Sequence, residues 1–202
     1  MKQVLVGQPA PDFTAKAVLP DGNLVDNFHL AEVIEDKYAL LFFYPLDFTF
    51  VCPSELIALD NHYDEFKKRD IEVIGISIDS HYTHYAWRNT LPEKGGIGQV
   101  KYPLVADSNH QIAQAYGVEH PAENVALRAA IIIDKNGIVR SEIVNDLPLG
   151  RNVSEILRLF DAVDFTAKHG EVCPANWKKG EKGMSPTPEG VADYLKNEHT
   201  KL

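Results

Sequence analysis

The stretch Tyr38-Ala39-Leu40-Leu41-Phe42-Phe43-Tyr44-Pro45-Leu46-Asp47-Phe48-Thr49-Phe50-Val51-Cys52-Pro53 decides how this chain is read. Tyr38 to Tyr44 is apolar without polar alternation, the pattern of a strand covered on both faces, and Pro45, which has no N–H for a ladder, halts it. After Cys52-Pro53, apolar Leu56, Leu59, Tyr63 and Phe66 recur at helical spacing. Pro53 suits a first helical turn, and Lys67-Lys68-Arg69 suits the negative end of the helix dipole. The segment therefore predicts a central strand, a loop, and a helix that opens close to Cys52.

Working outward, Ile71 to Ile78 reads as a second buried strand, Tyr82 to Asn89 as a helix, Gly95-Gly96-Ile97-Gly98 as a loop and Tyr102 to Val105 as a short apolar segment. Gln111 to Tyr116 predicts a short helix closed by Gly117. Strands alternating with helices imply parallel crossovers. Arg128 to Ile133 and Ile138 to Val144 flank Asp134-Lys135-Asn136-Gly137, whose Asn-Gly pair signals a hairpin. Ser154 to Ala167 has helix periodicity through Ile156, Leu159, Phe160 and Val163. Phe13 to Leu30, turning at Pro20-Asp21-Gly22, reads as an exposed, peripheral hairpin. From Gly170 onward Pro, Gly and Lys dominate, which predicts a surface arm that cannot extend the sheet. The expected fold class is α/β: a thioredoxin-like fold with a central mixed β-sheet flanked by helices, an N-terminal hairpin and a C-terminal arm. Its expected division is a domain over 1–169 and an arm over 170–202.

The formal net charge of -9 argues against a nucleic-acid partner, because such binding draws on basic side chains. Hydrophobic residues at 45% and charged residues at 24% match ordinary globular chains, so disorder is not favoured. Met1 to Pro11 lacks the charged-then-apolar pattern of a secretory signal, and no apolar run is long enough for a membrane span. The expected compartment is the cytoplasm.

Cys52 and Cys173 are too few for a disulfide scaffold and too far apart for a CxxC pair. Each is either an inert core residue or a reactive one. At a helix start, unsatisfied N–H groups and the helix dipole favour an anion, so Cys52 is placed to be a thiolate. A thiolate that attacks a peroxide expels the other oxygen, which then needs a hydrogen-bond donor. Pro45 would exclude water, Thr49 lies one turn before Cys52, and Arg128 brings a cation on an otherwise apolar strand. The alternative for Arg128 is an ion pair with a core carboxylate such as Glu55, since a buried charge needs a partner. The two roles are compatible.

Pro45-Leu46-Asp47-Phe48-Thr49-Phe50-Val51-Cys52-Pro53 matches the PxxxTxxC signature of peroxiredoxins, and Glu171-Val172-Cys173-Pro174 resembles the resolving-cysteine motif of the typical two-cysteine class. The resemblance runs from Gly7-Gln8-Pro9-Ala10-Pro11-Asp12-Phe13 to the C-terminal arm. It implies an active site of Pro45, Thr49, Cys52 and Arg128, with Glu55 and Arg151 orienting Arg128, and no cofactor or metal. It implies that Cys52 reduces hydrogen peroxide and organic hydroperoxides, then forms an intersubunit disulfide with Cys173. Thioredoxin or a flavoprotein disulfide reductase would recycle the pair, and the chain would form a homodimer and a ring of five dimers. Because a disulfide needs Cα atoms within about 7 Å, cysteines that start farther apart require the turn at Cys52 to unwind. Family members slow that unwinding with a GG-hydrophobic-G loop and a C-terminal Tyr-Phe pair. Here Gly95-Gly96-Ile97-Gly98 is present but Leu195 follows Tyr194, so intermediate sensitivity to overoxidation is expected.

His81 and His84 share a helix face, but a zinc site wants about four ligands and nothing nearby completes one, so they read as surface or interface residues. Thr83 resembles a position near the contact that joins dimers into rings. Trp87 and Trp177 read as packing aromatics. A thiol-disulfide oxidoreductase would want a CxxC pair. A holdase chaperone or peroxide-signal relay stands as an additional role, separable because a Cys52→Ser variant would keep it.

Overall fold

The structure, a computed structural model, describes residues 4–201, so the first residues of Met1–Pro11 lie outside the described ones. In chain order its strands and helices are β1 (Thr14–Val18), β2 (Leu24–His29), α1 (Leu30–Val33), β3 (Tyr38–Phe43), α2 (Cys52–Asn61), α3 (Tyr63–Lys67), β4 (Ile71–Ser77), α4 (His81–Arg88), β5 (Leu104–Ala106), α5 (Gln111–Ala115), β6 (Arg128–Ile133), β7 (Val139–Asn145), α6 (Val153–His169) and α7 (Pro188–Glu198). The chain divides into two compact units, Met1–Val153 and Ser154–Leu202. Among the described residues no helix is long and apolar enough to cross a membrane.

In the first unit one seven-stranded sheet runs β2-β1-β5-β4-β3-β6-β7. All of β3 is buried, as its unbroken apolar run requires. It pairs parallel with β4 and antiparallel with β6, with Leu41 opposite Ile74 and Ile131, so the sheet is mixed as expected. Leu41, Phe43, Ile74, Ile76, Ala129 and Ile131 join Ile112 and Tyr116 in one apolar cluster. Each large apolar side chain taken from water there contributes roughly 1.5–3 kcal/mol. The β6–β7 hairpin turns at Asp134–Gly137, where Asp134 Oδ1 accepts from the N–H groups of Asn136 and Ile138, and Gly137 takes the left-handed φ of 73° that the turn demands.

The hairpin of β1 and β2 forms, but it is not peripheral. β1 also pairs antiparallel with β5, and its Ala17 and Val18 are fully buried. The reading missed this because a second strand partner leaves no mark in local periodicity. The helix after Cys52 breaks at His62 into α2 and α3.

The loop Gly95–Gly98 is clamped to α4. Trp87 Nε1 donates to Gly95 O at 2.9 Å, and Gly98 N–H donates to Thr90 O at 3.2 Å. A Cβ at Gly96 would lie 1.9 Å from Thr90 O, so only glycine fits. Gly96→Ala is expected to cost about 1–3 kcal/mol of overpacking, and roughly 5 °C in melting temperature by circular dichroism. An unchanged melting temperature would contradict the close approach.

In the second unit, Val172 and Met184 form an antiparallel bridge, Phe165 packs on buried Trp177 with centroids 4.9 Å apart, and Arg158 Nη1 donates to Trp177 O at 3.0 Å. Trp177 is thus a packing aromatic, as is Trp87. The stretch from Gly170 onward also holds a helix that its composition did not predict: α7 starts where the Thr187 hydroxyl caps Gly190 N–H and Pro188 takes the first turn. That Thr-Pro-Glu start is a helix signal which the Pro and Gly content obscured.

Candidate active site

The sheet topology explains why residues distant in sequence meet. β3 ends at Phe43 and hands the chain to the loop before α2. β6 runs antiparallel to β3 with Phe43 opposite Ala129, so Arg128, at the start of β6, lies at the edge where that loop begins. β7 returns to the same edge with Asn145 opposite Arg128, and the chain beyond it brings in Leu147 and Arg151.

Cys52 is the first residue of α2, and its sulfur is fully buried. Thr49 Oγ1 lies 3.0 Å from Cys52 Sγ and 2.8 Å from Leu46 O. Its single proton serves one of these acceptors at a time. Arg128 Nη1 lies 3.4 Å from Sγ and donates to Glu55 Oε2 at 2.7 Å, so the ion pair and the contact with sulfur coexist. Arg128 Nε is tied to Leu147 O. Pro45 is buried at the turn out of β3.

Glu55 is saturated with donors. Oε1 accepts from Arg151 N–H at 2.8 Å and Nε at 2.9 Å, and Oε2 accepts from Arg151 Nη2 at 2.9 Å as well as from Arg128. Arg151 Nη1 also donates to Phe43 O and Ala129 O, joining β3 to β6 at the site, and its guanidinium lies 3.3 Å from the Phe42 ring centroid. Burial works to raise the Glu55 carboxyl, but the hydrogen bonds and charge of Arg151, then the charge of Arg128, outweigh it and leave it below its ordinary value.

Sequence reasoning missed what lies beneath the loop. His84, read as a surface or interface residue, is fully buried, and His81 is buried too. Helical spacing shows which residues share a face, not where that face points. His84 Nδ1 lies 2.8 Å from Asp47 Oδ2, and Tyr44 hydroxyl donates to Asp47 Oδ1 at 2.8 Å. Asp47 N–H donates to Asp79 Oδ2 at 2.9 Å. Next in the chain, Phe48 adopts a φ of 54°, a left-handed conformation that costs a bulky residue roughly 1–2 kcal/mol. The one available signal was a lone carboxylate, Asp47, inside an otherwise apolar loop.

Cys173 belongs to the second unit, half-buried, with Sγ 3.8 Å from Ala162 O. Burial pushes its thiol up, opposed by the charge of Arg158. Both cysteines are free thiols.

Here a hydroxyl and a guanidinium meet a sulfur at the start of a helix, and comparison with known proteins gives the chain a family. A family model described as the AhpC/TSA family matches residues 6–142, and one described as the C-terminal domain of 1-Cys peroxiredoxin matches residues 162–197. The chain belongs to the AhpC/TSA family. It is 51% identical to alkyl hydroperoxide reductase C of Helicobacter pylori, over 98% of this chain and all of that protein. It is 51% identical to peroxiredoxin-1 of Gallus gallus, over 96% of each chain. The crystal structure of reduced Plasmodium vivax 2-Cys peroxiredoxin superposes with a TM-score of 0.93 at 50% identity, covering 96% of this chain and all of that one. As a member of the AhpC/TSA family this chain is a thiol-dependent peroxidase, and the thioredoxin-like fold expected from its sequence is that of its structural relatives.

Proposed function

We propose that Cys52 is the peroxidatic residue. Its thiolate attacks one peroxide oxygen, the O–O bond breaks, and the departing oxygen leaves as an alkoxide or hydroxide that takes up a proton, while the sulfur becomes sulfenic acid. The observation that carries this reading is the sulfur at the first turn of α2, 3.0 Å from the Thr49 hydroxyl and 3.4 Å from Arg128 Nη1. Thr49 orients the peroxide, Arg128 stabilises charge on the departing oxygen, and buried Pro45 keeps water away. Glu55 and Arg151 hold Arg128 in place.

Cys173, on an arm over 170–202 attached to a peroxidase domain over 1–169, then attacks the Cys52 sulfenic sulfur of another subunit. A disulfide forms and water leaves. Because burial disfavours the Cys173 thiolate in place, the arm must loosen as the first turn of α2 unwinds. A dithiol reductant, thioredoxin or a flavoprotein disulfide reductase, returns both thiols. The working assembly is a homodimer, five to a ring, in the cytoplasm. Phe50 at 97% exposure, within the active-site loop, supports contacts between subunits, as does β7 at the outer edge of the sheet. The H. pylori relative's name supports alkyl hydroperoxides as substrates beside hydrogen peroxide.

The test is a non-reducing gel after one equivalent of hydrogen peroxide. Wild type should run as covalent dimers, and neither Cys52→Ser nor Cys173→Ser should form the link between positions 52 and 173. A monomeric wild-type band in oxidised protein would overturn the resolution step, and peroxide consumption by Cys52→Ser would overturn the assignment of the nucleophile.

A further inference from the structure

We propose that a cleft where β5 falls short of β1 is a docking slot for an extended peptide segment of a partner protein, one that carries an uncharged polar side chain between two apolar ones. The slot uses none of the Cys52 site, so the inference goes beyond the peroxidase reading and stands apart from it.

The sheet leaves the slot open. β1 pairs with β2 through Thr14 opposite His29, and just before that pair Leu30 N–H donates to Phe13 O at 3.0 Å. Hydrogen-bonded and non-hydrogen-bonded pairs alternate along an antiparallel ladder, so the backbone of Phe13 faces β2 while the N–H and C=O of Thr14 face the other way. On that side β5 does not reach them. Its last residue, Ala106, stands opposite Lys16, and the following Asp107 turns its N–H to Ser77 O at 2.8 Å. Thr14 therefore presents a strand edge with no strand opposite it among the described residues.

A cleft of about 560 Å³, a size common among ligand sites, lies along this edge. Every residue from Pro11 to Lys16 lines it. Successive side chains of a strand point to opposite faces, so a cleft touched by all of them follows the backbone rather than one face. Its two walls differ in chemistry. On one face Phe13 and Ala15 pack against the apolar cluster that includes Ile112 and Tyr116, and all four line the cleft. On the other face the lining is Lys16, Asp26 and His81. A segment laid beside Thr14 would turn alternate side chains to an apolar wall and to a polar one, the pattern of strand addition.

His81 defines what the polar wall takes. It is only 6% exposed, and its ring lies against Tyr82 with centroids 4.1 Å apart, yet among the described residues neither ring nitrogen has a hydrogen-bond partner. A buried polar group left unpaired is unfavourable, and a ligand in the slot would supply the missing bond. Burial, then the charge of Lys16, pushes the ring below its ordinary value, so at neutral pH it offers one donor and one acceptor. The charges at the mouth are already answered. Lys16 lies 3.3 Å from Asp26, and the Asp12 carboxylate lies 2.8 Å from His29 Nε2 and accepts from Ala31 N–H. The group that fits is therefore a side-chain amide or hydroxyl rather than an ion.

The test uses reduced full-length protein and the blocked tripeptide acetyl-Val-Gln-Val-amide, titrated by saturation-transfer NMR. Two analogues are run beside it, one N-methylated at glutamine and one with leucine in place of glutamine. In the free protein the Thr14 amide should exchange rapidly with deuterium, and saturating glutamine peptide should slow it at least about tenfold. N-methylation, which removes the donor to Thr14 O, should weaken binding roughly tenfold. Wild type should favour the glutamine peptide over the leucine one by about fivefold or more, and His81→Leu should reverse that preference, a change of specificity that general loosening of the fold would not produce. If His81→Leu does not fold, Thr14→Pro decides: it removes an N–H that the sheet does not use and should weaken the glutamine peptide roughly tenfold. Equal binding of the N-methylated analogue would overturn strand addition, and a wild type indifferent to glutamine or leucine would overturn the role of His81. No saturable binding of millimolar peptide would overturn the slot itself. So would a Thr14 amide that is protected in the free protein and loses protection on dilution, because another copy of this chain would then fill the cleft. None of these readings needs Cys52, so they hold whether or not Cys52→Ser consumes peroxide.

Discussion

Arg128→Met should lower the second-order rate constant for hydroperoxide by about 10²–10³, the usual cost of removing one donor aimed at developing charge in a water-excluded site. Arg128 Nη1 is 3.4 Å from the Cys52 sulfur and 2.7 Å from Glu55, so the cation is both near that sulfur and held there. Methionine keeps the apolar stem, and Glu55 retains its bonds to Arg151, so the fold should survive. Arg128→Lys should recover only part of the loss, because one ammonium lacks the planar fork that serves the Leu147 carbonyl, Glu55 and the sulfur together. Single-turnover kinetics at pH 7 decide the matter: a methionine variant within twofold of wild type would show that Arg128 serves only as the counterion of Glu55.

Glu55→Gln should have the largest effect on stability. It removes the single carboxylate bound to two buried guanidinium groups, Arg128 at 4% exposure and Arg151 at 9%. Breaking a buried pair costs about 3–5 kcal/mol, because the remaining charge is uncompensated, and in a chain of this size that is roughly 10 °C of melting temperature. Its pH dependence has a definite sign. The folded Glu55 carboxyl lies below its ordinary value of 4.5, so its contribution is present above that value and fades as pH falls through the depressed one. The melting-temperature gap between wild type and Glu55→Gln should therefore be full at pH 7 and narrow in acid. A gap that stayed constant down to pH 3 would mean the lost stability comes from packing rather than charge.

Local patterns in the sequence carried much of this molecule. The apolar run before Pro45, the helix opening at Cys52, the hairpin at Asn136-Gly137 and the β6 strand beginning at Arg128 all follow from periodicity and turn chemistry, which act over a few residues. The cysteine at a helix start and the arginine in an apolar strand were readable as chemistry for the same reason: each violates the pattern around it. The second pairing of β1 left no such trace, nor did the helix α7, hidden by a composition that masked its cap.

What the sequence determined by itself is therefore the identity and local setting of the groups: a cysteine at a helix mouth, a hydroxyl one turn earlier, a cation on a strand. Only the tertiary structure decided that Arg128 reaches the sulfur, that Glu55 is shared between two arginines, and that His84 turns inward beneath Asp47. Those contacts depend on strand order and on the direction in which a helix face points. Both are set by the burial of the whole sheet, whose energy is summed over residues far apart in the chain and is therefore not written in any one segment.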